Sequence, residues 1–362
     1  MKQILILLFS LAVIQGYCQK KATANKAVFL QNISWTTAKE LLKPDAVIVI
    51  PLGAGAKEHG PHLPLSSDFI QAEGIVKLLA LERKVIITPV VSYGFYPAFL
   101  KYPGSTSLDF TTATEMILDI VRSLAGYGPK RFYIINIGVS TTPTLAQAAK
   151  ILADEGILLF YSQYERPNFV KAEDAIKTQS FGGHANEIET SNVLYLRPDL
   201  VDMSKAVNDS STKGKAGSII SPAEIEGAIY NPTGIVGYAA LATKLKGKRS
   251  IQTFTKEVIY EIDSISTCTL PQVKNRTTEY KNYEGEYACE GRKNIIILVK
   301  DNHLQFKQAG APFFSPFLLY RNEEDYFSSQ PLSVLFIKNE DGKVVKAWCQ
   351  NRGESFWMFK NK

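Results

Sequence analysis

The sequence predicts an α/β domain built on a mainly parallel sheet, followed by a small antiparallel all-β domain. Three observations carry this. The chain has 362 residues, more than one hydrophobic core usually organises. From about residue 46 to 161, short apolar runs rich in β-formers alternate with longer helical patterns. Runs that are apolar throughout are buried on both faces, and helices between them imply parallel pairing through crossovers. From Glu279 onward the pattern changes to short runs separated by turn residues, as in an antiparallel domain.

Met1 and Lys2 give a positive start, residues 4–14 are apolar and Gly16 is small, so residues 1–18 are expected to be an export signal cleaved after Cys18. A lipid-anchored reading of Cys18 is disfavoured, because bulky Tyr17 stands where that motif takes a small residue. The mature chain is therefore expected to be secreted or periplasmic, with an N-terminal extension over 19–31. Strands are expected at 46–50, 85–90, 131–136 and 157–161, and helices at 69–83, 111–126, 144–155 and 250–265. A polar segment containing Pro271, residues 269–281, links the domain over 32–268 to the β-domain over 282–362. Strands are expected there at 284–289, 294–300, 303–307, 316–320, 333–337, 343–349 and 355–359, with tight turns at Asp301-Asn302 and Asp341-Gly342. Its Tyr and Phe rows are expected to be core. Cys268, Cys289 and Cys349 are odd in number; Cys289 and Cys349 can pair in an oxidising compartment, and the sequence does not settle whether they do.

Lys and Arg outnumber Asp and Glu by 41 to 35, with no basic run and no aromatic-basic interleaving. A nucleic-acid partner is therefore not expected. No apolar run reaches the roughly 18 residues of a spanning helix.

Three of the four histidines lie in two short polar, Gly-containing clusters. The first, residues 57–68, follows a strand and precedes a helix, which places it at the carboxyl end of a parallel strand where open α/β sheets bind ligands. Glu58, His59 and Asp68 there offer carboxylate and imidazole ligands suited to zinc or manganese, which would acidify bound water. The second cluster begins Gly182-Gly183-His184 and includes Glu187 and Glu189. His184 with either glutamate can exchange protons with a reacting group. Each cluster also has a plainer reading: a capped polar loop for the first, a helix start at Asn186-Glu187 for the second.

Further motifs surround these clusters: Ile33-Ser34-Trp35; the strand into Pro51-Leu52-Gly53; Glu58-His59-Gly60-Pro61-His62-Leu63-Pro64-Leu65 with Asp68; Tyr93-Gly94; residues 102–108; His184 with Glu187 and Glu189-Thr190-Ser191; Arg197-Pro198-Asp199-Leu200-Val201; and Gly234-Ile235-Val236-Gly237. In this order they resemble the creatininase (creatinine amidohydrolase) family over about residues 32–265. The resemblance implies a three-layer α/β/α sandwich and hydrolysis of C–N bonds of small amides at a two-metal centre. Family members usually carry Glu-x-His-Gly, whereas Lys57 holds that Glu position here, and Glu58 is expected to replace it through a bulge. A second signature, Asn-Gly-His, corresponds to Asn136-Ile137-Gly138, and no His, Asp or Glu occurs from 131 to 153. Two readings of the site follow. One divalent ion is held by Glu58, His59 and Asp68, helped by His184 or Glu187, with an open position for water. Alternatively the site is metal-free and uses backbone amides around 138–141. The expected activity is that of a secreted amidohydrolase acting on a small molecule; the alternative is an inactive relative that binds a small ligand or glycan. The family commonly assembles as multimers, so a homo-oligomer is an expectation. The tail from Tyr283 resembles the small β-domain appended to secreted serine hydrolases of the penicillin-binding type.

Overall fold

The computed structural model describes residues 26–214, 219–224, 226, 228–300, 302–310, 317–329, 332–351 and 353–361. The expected export signal lies outside them. The first domain begins β1 (Val28–Phe29), α1 (Trp35–Leu41), β2 (Val47–Leu52), α2 (Ser67–Glu82), β3 (Ile86–Ile87), α3 (Phe110–Ala125), β4 (Arg131–Asn136), α4 (Thr142–Asp154) and β5 (Leu158–Tyr161). These strands form one sheet, ordered β1-β3-β2-β4-β5, with every pairing parallel. After it come α5 (Pro167–Asp174), α6 (Glu187–Leu196), the short strands β6 (Asn208–Asp209), β7 (Ile219–Ser221), β8 (Ala228–Tyr230) and β9 (Gly237–Tyr238), and the long α7 (Lys244–Thr267).

All six residues of β2 are buried, and the two-residue period of the strand divides them between two layers. Val47 and Val49 join Tyr133 and Ile135 of β4 under α2 and α7, packing on Ile75, Leu79, Ile251, Val258 and Ile262. Ile48, Ile50 and Leu52 join Phe132 and Ile134 under α3 and α4, packing on Ile117, Val121, Leu145 and Leu152. The result is the three-layer α/β/α sandwich. The run at 85–90 keeps only two ladder residues because Pro89 has no N–H to donate; the flanking Thr88 and Val91 amides still reach Val49 and Pro51 of β2.

After α8 (Thr277–Tyr280), eight strands follow: β10 (Gly285–Ala288), β11 (Ile295–Lys300), β12 (His303–Gln308), β13 (Phe317–Glu323), β14 (Tyr326–Ser329), β15 (Leu332–Lys338), β16 (Val344–Asn351) and β17 (Glu354–Lys360). Each pairs antiparallel with the next, and β17 returns to β10, so the antiparallel domain is a closed barrel with no free edge. Tyr283, Tyr287, Phe327 and Phe336 are its largest fully buried side chains among the described residues and meet edge to face. Cys289 and Cys349 lie in this core as free thiols, and burial pushes the Cys349 thiol up to about 12. Arg122 ties the domains together: its guanidinium pairs with Glu155 at 2.6 Å, donates to Asn322 Oδ1 of β13 at 3.3 Å and stacks over the Tyr320 ring. No helix among the described residues is long and apolar enough to cross a membrane.

Candidate functional site

The carboxyl ends of β2 and β4 face the loop 53–66 and the first turn of α2, and the site is built there. His59 is fully buried. Its Nδ1 lies 2.9 Å from the Lys57 carbonyl and its Nε2 2.8 Å from Asp68 Oδ1; both oxygens can only accept, so the ring donates to each. The other carboxylate oxygen of Asp68 forms an ion pair with Lys57 Nζ at 2.7 Å. That contact is an ion pair rather than an aligned hydrogen bond, since Oδ2 accepts none among the described residues. Burial alone would raise the Asp68 carboxyl, but the Lys57 ammonium and the His59 ring outweigh it and hold the group well below the usual carboxylate range. The ammonium also lies over the Phe99 and Tyr96 rings, 5.0 and 5.7 Å from their centroids.

The second cluster reaches this point from across the fold. An isolated bridge between His184 and Val236 sets the histidine against the Gly234-Ile235-Val236-Gly237 segment. His184 Nε2 donates to the Glu58 carbonyl at 2.9 Å and lies 3.1 Å from Glu58 Oε2, which leaves Nδ1 facing Glu189 Oε2 at 3.8 Å. The rings of His59 and His184 are 4.9 Å apart, and Phe99 covers His184 at 4.6 Å. Ala185 holds a φ of 49°, a left-handed conformation that a non-glycine residue keeps only where surrounding contacts enforce it. Here the contact is its amide, which donates to Glu189.

One ligand atom each from His59, His184 and Glu189 lie within 4.8 Å of one another. This set differs from the Glu58, His59 and Asp68 expected from the sequence. Asp68 is engaged by Lys57 and His59. Glu58 folds back on its own loop, accepting from the Gly60 amide and holding His184. It packs so closely on Gly234, whose φ is +67°, that a Cβ there would overlap its carboxylate. Glu187 stands apart from the convergence: its buried carboxylate accepts from Thr178, Gln179 and Lys246, which fastens α6 to the preceding loop and to α7. Two amides near 138–141 are also engaged, Gly138 with the Asn136 side chain and Thr141 with the Gly138 carbonyl.

The donors present do not fit a pair of ions, because an ammonium sits at Asp68 and the end of β4 brings Gly138 rather than a ligand. They do fit one divalent ion: two imidazoles and a carboxylate, with one nitrogen of each ring held by a backbone carbonyl, make a donor set with positions left open, His59 offering the Nε2 that otherwise donates to Asp68. Lys57, Tyr96 and Phe99 were not legible as site residues. A lysine beside Glu58-His59 was the available signal, and its inward direction is a tertiary property.

His62 is buried with Nε2 2.7 Å from Thr190 Oγ1 and Nδ1 without a partner among the described residues. Burial, aided by the nearby His59, lowers its pKa to about 4. An unfolded chain regains an ordinary histidine, so between roughly pH 6.5 and 4 the unfolded state binds the extra proton and stability falls with pH. Unfolding free energy is expected to drop by about 2 kcal/mol from pH 7 to pH 5 through this group. Urea titrations of wild type and His62→Gln check it; equal slopes against pH would refute it.

The model of the creatininase family, described as creatinine amidohydrolase, matches residues 31–262. The creatinine amidohydrolase of Pseudomonas putida is 27% identical over 205 residues, covering 51% of this chain and 77% of that protein. The mycofactocin precursor peptide peptidase of Mycolicibacterium smegmatis is 25% identical over 234 residues, covering 61% and 86%. Among solved structures, the manganese form of a creatininase superposes with a TM-score of 0.53 at 21% identity, over 67% of this chain and 100% of its own. With the three-layer fold in place and the family model spanning more than half of its length, the chain belongs to the creatininase family.

Proposed function

We propose that this protein is an exported amidohydrolase that cleaves a C–N bond of a small amide with one divalent ion, zinc or manganese, at His59, His184 and Glu189. The convergence of these three side chains at the carboxyl edge of the sheet carries the reading. Two relatives support it by their names, one an amidohydrolase and one a peptidase, since both reactions break an acyl C–N bond. A manganese form of a solved relative supports the choice of ion. Export rests on the charged and then apolar N-terminal segment.

When bound, the ion would polarise the amide carbonyl and make water more acidic. The chain's own residues prepare the place. The Lys57 and Glu58 carbonyls hold the His59 and His184 rings through one nitrogen each, which leaves His184 Nδ1 unprotonated, while His59 would release to an ion the Nε2 that otherwise donates to Asp68. Phe99 and Tyr96 exclude water on one side, where the Lys57 ammonium lies beneath them. Glu189 is the most exposed of the three ligands and marks the open side.

The test is amine release from a panel of small cyclic and linear amides by the mature chain loaded with zinc or manganese. Glu189→Gln is expected to lower turnover by about 100-fold. Absence of turnover by the loaded wild type across the panel, or a Glu189→Gln variant as active as wild type, overturns the proposal.

A further inference from the structure

We infer that the Lys57 ammonium occupies a cation place at this site, so that the chain binds at most one divalent ion rather than the two that the family resemblance implies. Asp68 is fully buried and presents its two oxygens in different directions: Oδ1 to His59 at 2.8 Å, Oδ2 to Lys57 Nζ at 2.7 Å. The first direction leads to the His59, His184 and Glu189 cluster; the second ends on the ammonium. A divalent ion bound to Oδ2 at about 2 Å could not share that side of the carboxylate with an ammonium so close, on grounds of both size and charge.

Lys57 is committed to this position. Lysines in loops ordinarily extend their charge to water, yet here the side chain is only 5% exposed. Burying an ammonium is costly unless a counter-charge meets it, and Asp68 is its ion-pair partner among the described residues. The faces of Phe99 and Tyr96 complete the surroundings.

Gly138, at the end of β4, supplies an independent observation. A Cβ built there would lie 3.7 Å from Asp68 Oδ2, 4.0 Å from Lys57 Nζ and 3.4 Å from the Tyr96 ring, all ordinary contacts. The backbone therefore stands where a side-chain ligand could reach this cation place, and it carries none. A cation from the chain itself and the missing ligand opposite belong together: the ammonium keeps a positive charge beside His59 whatever the metal supply. Lys57 is thus a positioning residue for Asp68 and a fixed charge of the site.

The inference limits the ion count of the site proposed above and so rests on that reading, but the experiment separates the two. The full mature chain is titrated with manganese, and bound ions are counted by elemental analysis and by electron paramagnetic resonance. Wild type is expected to take no more than one ion, with an uncoupled six-line spectrum. Lys57→Glu, which exchanges the ammonium for a carboxylate, and the same change combined with Gly138→His are each expected to take one ion more. In a variant that reaches two, the spectrum should broaden as coupled spins do. Two ions on wild type overturn the inference, as does a folded variant with the same count as wild type. If wild type takes none and a variant gains one, the one-ion hydrolase reading falls while the role of Lys57 stands. If the double variant does not fold, Lys57→Glu carries the comparison.

Discussion

Asparagine at position 68 is expected to lower the unfolding free energy of the α/β domain by about 3–5 kcal/mol, the cost of removing one partner from a buried charge pair. The replacement keeps the shape of the side chain and removes its charge, so packing loss is small. What remains is the Lys57 ammonium and the His59 ring with no anion between them, in a place where neither reaches water. The pH dependence carries a sign that identifies the cause. The folded Asp68 carboxyl is held well below its ordinary range, so its contribution is fully present above the unfolded value near 4 and is lost as pH falls below it. Wild type should lose this increment in acid, and Asp68→Asn should have none to lose. Urea unfolding followed by helical circular dichroism reports the α/β domain selectively, because the described residues of the barrel contribute no helix. A change below about 1 kcal/mol, typical of an exposed pair, would show that the pair is solvated in solution.

Gly247→Ala has the second large expected effect, and two opposing contributions decide its sign. Alanine in a helix interior is favoured over glycine by about 1 kcal/mol. At Gly247, however, α7 crosses α6 so closely that a Cβ would stand 1.8 Å from the Ser191 carbonyl oxygen and 2.4 Å from its carbon. The obstruction is backbone and cannot rotate away. The helices must separate, which also disturbs the bonds of Ser191 to the Glu187 carbonyl and the Thr243 amide. Overpacking of this kind costs about 3 kcal/mol or more, so the clash wins. Because α6 carries Glu189, weaker metal binding should accompany the loss. The same change at Gly183, where a Cβ meets nothing within 4 Å, is the control and should stay within about 0.5 kcal/mol of wild type. A Gly247→Ala protein as stable as that control would refute the close crossing.

Legibility followed how local each signal was. β4 spans Arg131–Asn136 as the apolar run predicts, and α2, α3 and α4 begin and end within two residues of expectation, because burial of a strand or of a helix face leaves a pattern in the adjacent residues. α7 extends further than its core pattern, starting at Lys244 behind the Thr243 cap that accepts from the Lys246 amide. The strand Tyr326–Ser329 was missed: it is short, it follows Glu323-Glu324-Asp325, and Phe327 is its one fully buried side chain. Closure of the barrel was not legible either, since Tyr287 pairs with Lys360 across a separation that leaves no trace in neighbouring residues.

The sequence by itself determined the two-part architecture, the parallel sheet, the position of the first histidine cluster at the end of β2, and His59, His184 and Glu189 as residues with chemistry to offer. These follow from periodicity, turn residues and side-chain type, all of which are local. Only the tertiary structure decided which groups meet. It placed Glu187 in the anchoring of α6 and α7, turned Glu58 back onto its own loop and His184, and drove the Lys57 ammonium inward onto Asp68. The direction of a loop side chain is set by what lies across the fold: here a carboxylate on the first turn of α2, two aromatic faces from residues 96–99, and the bare backbone of Gly138 at the end of β4.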